Sequence, residues 1–310
     1  MGTRASPIVA RSLTKRFADV VAVDGVDFVV ESGETFGFLG PNGAGKSSTM
    51  RMIGAVSPRS GGELEVFGLD PETAGPTIRR RLGVVPQDDN LDLELTVFEN
   101  LLVYGRYFGI RSRQVRERAQ ELLEFVQLAD RRDAPVEHLS GGMKRRLTIA
   151  RGLINDPDLM LLDEPTTGLD PQARHALWDR LYRLKHRGVT LVLTTHYMDE
   201  AEQLCDRLVV MDEGRIVAEG SPRELIERHV DREVVELRFP PDTQDGVAER
   251  LEGIGSRREA LQDRILIGTD DGDATVLAVH ERGILPESTL VRRSSLEDVF
   301  LTLTGRTLVD

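Results

Sequence analysis

The fold is decided by one glycine-rich segment, Gly40-Pro41-Asn42-Gly43-Ala44-Gly45-Lys46-Ser47. It fits the pattern Gly-x-x-x-x-Gly-Lys-Ser/Thr and lies between a predicted strand, Glu34–Leu39, and a predicted helix, Ser47–Ala55. Glycines let backbone N–H groups turn inward around a phosphate, and the start of the helix adds a partial positive charge. We predict that Lys46 contacts the β- and γ-phosphates of a nucleotide and that Ser47 binds Mg²⁺.

Two neighbouring carboxylates follow the apolar run Leu159–Leu162, which predicts a short buried strand. Ligands of parallel sheets collect at the carboxyl ends of the strands, and Asp163 and Glu164 follow such an end. We predict that Asp163 holds Mg²⁺ through its water shell. Glu164 is then the residue that orients or deprotonates the water attacking the γ-phosphate. The alternative, a solvated pair of acids at a strand end, is the weaker interpretation beside a phosphate-binding segment.

A second glycine-containing segment, Leu139-Ser140-Gly141-Gly142-Met143, precedes a predicted amphipathic helix, Met143–Leu153. A serine and two glycines at a helix start expose backbone N–H groups to an anion, and the helix dipole favours negative charge there. The chain therefore contains two separate phosphate-recognition segments, which raises the question of what the second one binds.

Strands alternate with helices along most of the chain, which predicts a largely parallel sheet with helices on both faces. Ahead of it, the alternating residues of Ile8–Val30 predict short antiparallel strands around a turn at Asp24-Gly25. Between Asp92 and Leu128 the apolar spacing becomes helical. We predict an α/β fold of the P-loop NTPase (RecA-like) class, with a mixed sheet, an antiparallel N-terminal β subdomain and an inserted helical subdomain at about residues 89–156.

The pattern changes after a short predicted helix, Arg223–His229. Beyond it the sequence predicts strands near Val234–Phe239, Arg264–Gly268 and Leu290–Arg293, with helices near Val247–Leu251, Thr275–His280 and Leu296–Leu303. We place a boundary near Arg228–Glu233 and divide the chain into residues 1–229, which carry the motifs, and a small accessory α+β domain at 230–310.

The set of motifs resembles that of the ATP-binding cassette (ABC) ATPases over about Ile8 to His229, so residues 1–229 are the expected ABC ATPase domain. The motifs that carry the resemblance are Gly40–Ser47, Gln87 in Val85-Pro86-Gln87, Leu139–Met143, Asp163-Glu164, Gly168-Leu169-Asp170 and His196. The resemblance implies ATP as the nucleotide, Mg²⁺ as the metal ion and ATP hydrolysis as the activity. Met143 stands where glutamine is commoner, and we expect little effect because the helix start depends on the serine and glycines.

In that family the Leu-Ser-Gly-Gly segment faces the nucleotide held by a second copy, so that two chains enclose two ATP molecules. The resemblance implies that Ser140 and Gly142 contact the γ-phosphate across this interface and that Asp170 helps to join the two sites. Within one chain it implies that His196 contacts the γ-phosphate. Gln87 is expected to contact Mg²⁺ or the attacking water and to report occupancy of the site to a partner.

Phe17 resembles the aromatic residue that stacks on adenine, a role more often filled by tyrosine, and the alternative is a core phenylalanine at a strand end. The nucleotide contacts expected within one chain are Phe17, Gly40, Pro41, Asn42, Gly43, Ala44, Gly45, Lys46, Ser47 and Ser48, and those expected across the interface are Ser140, Gly141, Gly142 and Asp170. The expected catalytic residues are Glu164, His196, Gln87 and Lys46, and the expected metal-site residues are Ser47, Gln87 and Asp163.

Aromatic residues are concentrated at one place, with four of the 15 between Phe98 and Phe108. One interpretation is the core of the helical subdomain. The other, implied by the family resemblance, is a groove that grips a short helix of a separate multi-span membrane permease, a task that suits an aromatic cleft.

Composition restricts where the chain works. The 310 residues carry a net charge of −12, which argues against capture of nucleic acid or anionic lipid. The apolar runs fall short of a membrane span, and the start at Met1–Ser6 leads into no apolar leader segment. The single cysteine, Cys205, fits a reducing compartment. We expect a peripheral protein at the cytoplasmic face of the cell membrane, held there by its permease.

Three further segments narrow the resemblance to the drug-resistance (daunorubicin-type) and nodulation-factor export ATPases. They are Asp88-Asp89-Asn90-Leu91, Gly141-Gly142-Met143-Lys144-Arg145-Arg146 and Ser295-Leu296-Glu297-Asp298-Val299-Phe300. The cargo implied is a drug, antibiotic, lipid or glycolipid. The rival interpretation is an ABC ATPase of DNA repair or translation, but the chain contains neither a long coiled-coil insertion nor a second cassette. The tail is open to several roles: a lid, a dimer brace, a regulatory contact or plain packing.

Overall fold

The computed structural model describes residues 6–240, 246–261 and 263–305. The start of the chain, on which the expectation of no leader segment depends, lies mostly outside the described residues. The chain divides into two compact units, Met1–Glu219 and Gly220–Asp310. The helix predicted at Arg223–His229 thus groups with the second unit, whereas the sequence analysis assigned it to the first.

The motif-bearing part of the chain alternates strands with helices. In chain order these are β1 (Ile8–Phe17), β2 (Val20–Val30), β3 (Thr35–Leu39), α1 (Lys46–Ile53), β4 (Gly61–Val66), α2 (Pro71–Arg79), β5 (Leu82–Val85), α3 (Val97–Tyr107), α4 (Ser112–Phe125), α5 (Gly141–Gly152), β6 (Leu159–Asp163), α6 (Pro171–His186), β7 (Thr190–Thr195), α7 (Met198–Leu204), β8 (Arg207–Asp212) and β9 (Arg215–Gly220).

A six-stranded sheet has the strand order β5-β6-β7-β3-β8-β9. The neighbours β5/β6, β6/β7, β7/β3 and β3/β8 run parallel. The carboxyl ends of β3, β6 and β7 therefore meet at one edge, where Leu39 pairs with Thr195 and Asp163 pairs with Thr194. This parallel order places three segments that are far apart in sequence at the same edge of the sheet.

An antiparallel sheet of order β2-β1-β4 confirms the predicted N-terminal β subdomain. The predicted turn at Asp24-Gly25 is wrong, because the chain reverses between Phe17 and Val20. Gly25 has a φ of 63° inside β2, opposite a register shift of β1. The glycine therefore serves a β-bulge, where positive φ is also needed.

A large apolar cluster joins the two sheets and α1. Phe28 from the antiparallel sheet contacts Phe36 and Phe38 of β3, with ring centroids 6.1 and 5.1 Å apart. Met50 and Ile53 of α1 pack into the same cluster. Burial on this scale fixes β3 and α1, and with them the loop that connects the two elements.

Three helices, α3, α4 and α5, are inserted between β5 and β6 and pack on one another, which confirms the predicted helical subdomain. A capping box of Thr96 and Glu99 begins α3. Ser140 begins α5, since its side chain accepts a 3.3 Å hydrogen bond from the Met143 N–H.

The second unit contains α8 (Pro222–His229), β10 (Glu233–Arg238), α9 (Val247–Arg250), β11 (Arg257–Ala260), β12 (Arg264–Thr269), α10 (Gly272–Glu281), β13 (Ser288–Arg293) and α11 (Leu296–Thr304). Its sheet has the order β11-β12-β10-β13, with every pair antiparallel. Val235 and Ile267 on this sheet pack against Val279 of α10 in an apolar cluster. The predicted α+β character is confirmed.

Within the described ranges, the structure contains no helix that is both long and apolar enough to cross a membrane.

Candidate nucleotide-binding and catalytic site

The loop between β3 and α1 closes tightly around the side chain of Lys46. The Lys46 ammonium donates hydrogen bonds to the carbonyls of Gly40 (2.6 Å) and Pro41 (2.9 Å), and the residue is only 5% exposed. Burial lowers the pKa of Lys46, while the nearby carboxylates of Glu164 and Asp163 raise it. The Lys46 ammonium is thus held by neutral carbonyl groups at the start of α1. Its positive charge and that of the helix start both favour an anionic ligand at this place.

Two glycines of this loop cannot be replaced without displacing backbone. Gly45 has a φ of 100°, and a Cβ there would lie 2.3 Å from the Ala22 carbonyl oxygen. A Cβ on Gly40 would lie 2.2 Å from the Met211 carbonyl oxygen. Ser47 and Ser48 follow in the first turn of α1, where both are partly exposed.

The Ser47 hydroxyl and the Asp163 carboxylate meet at the edge of the sheet. Ser47 Oγ donates a 3.1 Å hydrogen bond to Asp163 Oδ1, and Thr194 at the end of β7 donates to the same oxygen. A hydroxyl and a carboxylate at hydrogen-bond distance fit a Mg²⁺ ion, which prefers oxygen ligands and retains several waters. Thr194 was not identifiable from the sequence, because its side chain is an ordinary member of a buried strand.

Glu164 lies directly after β6 in an unusual conformation. Its φ of 45° is left-handed, which costs a non-glycine residue on the order of 1–2 kcal/mol. The Glu164 N–H compensates by donating to the carbonyl and hydroxyl oxygens of Thr194, at 3.2 and 3.0 Å. This backbone conformation holds the carboxylate at the sheet edge beside the phosphate loop.

Three side chains surround the Glu164 carboxylate, which is almost buried. Gln87 Nε2 and Thr167 Oγ1 donate to Oε2 at 3.2 and 3.1 Å, and His196 Nδ1 lies 3.2 Å from Oε1. The structure therefore brings Gln87, Glu164 and His196 together, although they are separated by 77 and 32 residues. Thr167 was not identified from the sequence, since no spacing marks it.

The second phosphate-recognition segment forms a different part of the surface. Ser140, Gly141 and Gly142 at the start of α5 line a cavity of about 520 Å³ together with Gly168 and Asp170. Asp170 begins α6, since its carboxylate accepts a 2.8 Å hydrogen bond from the Ala173 N–H. A Cβ on Gly142 would lie 3.3 Å from the Ala173 side chain, so a small residue is favoured where the two helix starts approach.

The aromatic residues divide between core and surface. Phe17 is 47% exposed, so it is not a core phenylalanine, and Lys15 Nζ lies 4.6 Å from its ring centroid. Phe98 is buried in the helical subdomain, under the guanidinium of Arg132 at 3.8 Å. Tyr107, at the end of the same helix, is 80% exposed. The segment Phe98–Phe108 therefore contributes both to the core and to an exposed aromatic surface.

A phosphate loop follows the parallel strand β3, and a pair of carboxylates lies at the end of β6, two places away in the same sheet. Together these features define a P-loop nucleoside triphosphatase. The sequence profile of the ABC transporter family matches residues 23–167. Nod factor export ATP-binding protein I from Burkholderia thailandensis is 47% identical over 305 residues, covering 98% of this chain and 99% of the relative. The protein of the same name from Rhizobium sp. (strain N33) is 50% identical over 292 residues, covering 94% and 95%.

Solved structures agree with this assignment. A dimeric ATP-binding cassette in a post-hydrolysis state with ADP and Pi has a TM-score of 0.64 and 27% identity, covering 69% of this chain and 98% of that one. The subunit cbiO1 from Clostridium perfringens, part of an ABC transporter complex, has a TM-score of 0.67 and 27% identity, covering 73% and 92%. The chain belongs to the ABC transporter family and is an ATP-binding, ATP-hydrolysing subunit.

Proposed function

We propose that this protein is the energising subunit of an exporter, in which closure of an ATP-bound dimer moves a separate multi-span permease. The observation that carries the proposal is the Glu164 carboxylate, held by Gln87, Thr167 and His196 beside the buried ammonium of Lys46. The relatives that match almost the whole chain are named for Nod factor export. The proposed cargo is accordingly a Nod factor or another compound among drugs, antibiotics, lipids and glycolipids.

In the proposed mechanism, bound ATP and Mg²⁺ supply the γ-phosphate that reacts and the cation that offsets its charge. Lys46 would bind the phosphates, while the Ser47 hydroxyl, and Asp163 through the water shell, would hold the metal ion. Glu164 accepts a proton from the attacking water, and Gln87 and His196 fix the orientation of that carboxylate. Phe17, exposed at the end of β1, provides the stacking surface for adenine.

We propose that the cavity at the starts of α5 and α6 faces an ATP molecule held by a second copy of the chain. Ser140 and Gly142 lie at the start of α5 and Asp170 at the start of α6, and all three residues line one cavity. A γ-phosphate held by the partner copy fits this arrangement of two helix starts. In this proposal residues 1–229 form the ATPase domain and 230–310 an accessory domain.

The substitution Glu164→Gln tests the catalytic role. It keeps the size of the side chain and removes the base, so we expect ATP binding to persist and hydrolysis to fall by about 100-fold or more. An ATP-dependent dimer should accumulate, detectable by light scattering. The matched control is Glu65→Gln on an exposed position of β4, which should hydrolyse ATP normally. Normal turnover in Glu164→Gln would remove Glu164 as the catalytic base.

The permease contact is proposed to lie on the exposed part of the segment Phe98–Phe108, at the cytoplasmic face of the membrane. We expect Tyr107→Ala to reduce recovery of the protein with a multi-span permease from detergent-solubilised membranes, while basal ATP hydrolysis is retained. Tyr182→Ala is the control, because Tyr182 is an exposed tyrosine on α6. Equal recovery of both variants would place the contact elsewhere on the chain.

A further inference from the structure

One face of α5 forms hydrogen bonds with Asp89 and Asn90, in the segment that follows Gln87. Arg145, Thr148 and Arg151 are spaced three residues apart, which places them along one side of the helix, and all three are buried. Thr148 Oγ1 donates a 3.1 Å hydrogen bond to the Asp89 carboxylate, and Arg151 Nη2 donates to the Asp89 carbonyl at 3.0 Å. Arg145 Nη1 also lies 3.6 Å from Asp89 Oδ1, so two of the segments that narrowed the family resemblance, at 88–91 and 141–146, contact each other.

Arg145 reaches further than its two neighbours on the helix. Its guanidinium bonds five backbone carbonyls, namely those of Pro86, Gln87 (3.3 Å), Asp163 (3.0 Å), Glu164 (3.0 Å) and Pro165 (2.8 Å). These carbonyls belong to two separate segments, one around Gln87 and one around the end of β6. A single side chain thus connects the backbone of two residues that we propose to act in hydrolysis.

The chemistry of this contact requires arginine. A guanidinium has five N–H donors in a rigid plane, whereas a lysine ammonium has three donors at one point. Burial lowers the pKa of Arg145, and Asp89, whose Oδ1 lies 3.6 Å from Nη1, raises it. With a residue exposure of 4%, the guanidinium is shielded from water, and its hydrogen bonds to the five carbonyls hold it in place.

We propose that Arg145 is a positioning residue that couples the orientation of α5 to the placement of Glu164 and Gln87. The inference rests on the proposed roles of those two residues. Because α5 begins with Ser140, Gly141 and Gly142, an ATP bound there by a partner copy acts on the same helix that fixes the carbonyls of the catalytic segments. Arg145 would therefore transmit occupancy of one ATP site to the hydrolysis geometry of the other.

The test compares Arg145→Lys with Arg151→Lys in the full-length protein. Arg151 is the matched control, because it is a buried arginine on the same helix that bonds the carbonyls of Asp89 and Asn90 but none of those at the end of β6. For Arg145→Lys we expect kcat to fall by about 10- to 100-fold, with ATP affinity changed less than about twofold and ATP cooperativity reduced towards a Hill coefficient of about 1. Arg151→Lys should lower the melting temperature and leave kcat near the parental value.

A parental kcat in Arg145→Lys, or an equal loss of kcat in Arg151→Lys, would overturn the inference. If Arg145→Lys fails to fold, Asp89→Asn decides, since it removes the carboxylate beside Arg145 and keeps a side chain of similar size. We expect Asp89→Asn to lower kcat by about 3- to 10-fold at unchanged ATP affinity, and a parental kcat would again overturn the inference.

Glu164→Gln, measured in parallel, distinguishes a failure of the proposed function from a failure of the role proposed for Arg145. Full hydrolysis in Glu164→Gln would refute the proposed function whatever Arg145 does. Loss of hydrolysis in Glu164→Gln together with normal turnover in Arg145→Lys would refute only the role of Arg145.

Discussion

Both units bury charged side chains, but they satisfy them in opposite ways. In the second unit Arg292 lies between two almost buried carboxylates, donating to Glu236 Oε1 at 2.6 Å and to both oxygens of Asp298 at 2.7 and 2.8 Å. In the first unit Lys46 and Arg145 donate mainly to neutral backbone carbonyls. Together with Arg264, whose Nη1 lies 3.3 Å from Glu236 Oε2, the second network pairs two arginines with two carboxylates, whereas the Lys46 ammonium of the first donates to neutral acceptors and keeps its charge for a ligand.

The difference distinguishes a structural ion network from a functional one. Paired charges at short distance stabilise each other and gain nothing from a further anion or cation. A cation held by carbonyls keeps most of its field, and backbone acceptors fix its position without cancelling it. We therefore expect substitutions in the first network to change nucleotide binding and turnover, and substitutions in the second to change stability.

The largest effect is expected for Lys46→Ala. Removing a buried ammonium aimed at the phosphates should weaken ATP binding by about 100- to 1000-fold, measured by titration calorimetry. Lys185→Ala is the control. Lys185 on α6 also lies in the first unit, but its ammonium is paired with the carboxylate of Asp206. Unchanged affinity in Lys46→Ala would refute the assignment of the phosphate loop.

Arg292→Ala should have the next largest effect, on stability alone. It leaves Glu236 and Asp298 buried without their shared cation, so we expect the free energy of unfolding of the second unit to fall by about 2–3 kcal/mol. Chemical denaturation of the full chain measures this loss, and ATP hydrolysis at low denaturant should stay at the parental rate. Arg293→Ala, at the next and exposed position of β13, is the control. A loss of turnover in folded Arg292→Ala would contradict the division between the two networks.

Glu200 on α7 is a buried carboxyl group of the first unit whose pKa burial raises from 4.5 to about 7, despite the nearby side chains of Thr195, Thr166 and Trp178. Between these values the unfolded chain releases the proton while the folded chain keeps it, so stability falls as pH rises through this window. Glu200→Gln removes the ionisable group and with it this loss of stability. The variant should therefore be more stable than the parent by about 1–2 kcal/mol at about pH 8. Below about pH 5 the gain should disappear.

Thermal melts across this pH range test the Glu200 prediction. Glu202→Gln, on the same helix at a partly exposed position, should show no such pH-dependent gain. A stabilisation of Glu200→Gln that does not vary with pH would mean that ionisation is not its cause.

The smallest effect is expected for Phe17→Ala, which removes a half-exposed ring from beside the ammonium of Lys15 and leaves the charges of both networks in place. Loss of the proposed stacking surface should weaken ATP binding by about 3- to 10-fold, and Phe17→Tyr should bind ATP as the parent does. Competition between ATP and tripolyphosphate measures the base contribution, since Phe17→Ala should bind tripolyphosphate normally. Equal weakening for both ligands would show that Phe17 acts through the fold of the loop.

Much of the fold was predictable because its signals are local. Apolar periodicity located β3, β6 and the helix α5 to within a few residues. The strands β4, β5, β9 and β11 were not predicted. The last of these, Arg257–Ala260, lacks apolar alternation and depends on β12 for pairing. Helix α2, with Pro76 in its interior, also gave no clear helical signal.

The candidate site likewise contains residues that the sequence reveals locally and residues that it does not. Lys46, Asp163 and Glu164 were identified because each has a charged side chain next to a glycine-rich turn or the end of an apolar strand. Arg145 was quoted only as part of a family segment, because it acts on backbone carbonyls, which every residue possesses and no sequence pattern marks.

The pattern Gly-x-x-x-x-Gly-Lys-Ser between a predicted strand and a predicted helix was enough to predict a phosphate-bearing ligand, since glycines let backbone N–H groups turn inward around a phosphate. The tertiary structure alone decided which polar groups act together. The contact of Gln87 with Glu164 spans 77 residues and that of Arg145 with the Glu164 carbonyl spans 19. Such contacts depend on the order of strands in the sheet and on the packing of α5, and a hydrogen bond is lost within a displacement of about 1 Å.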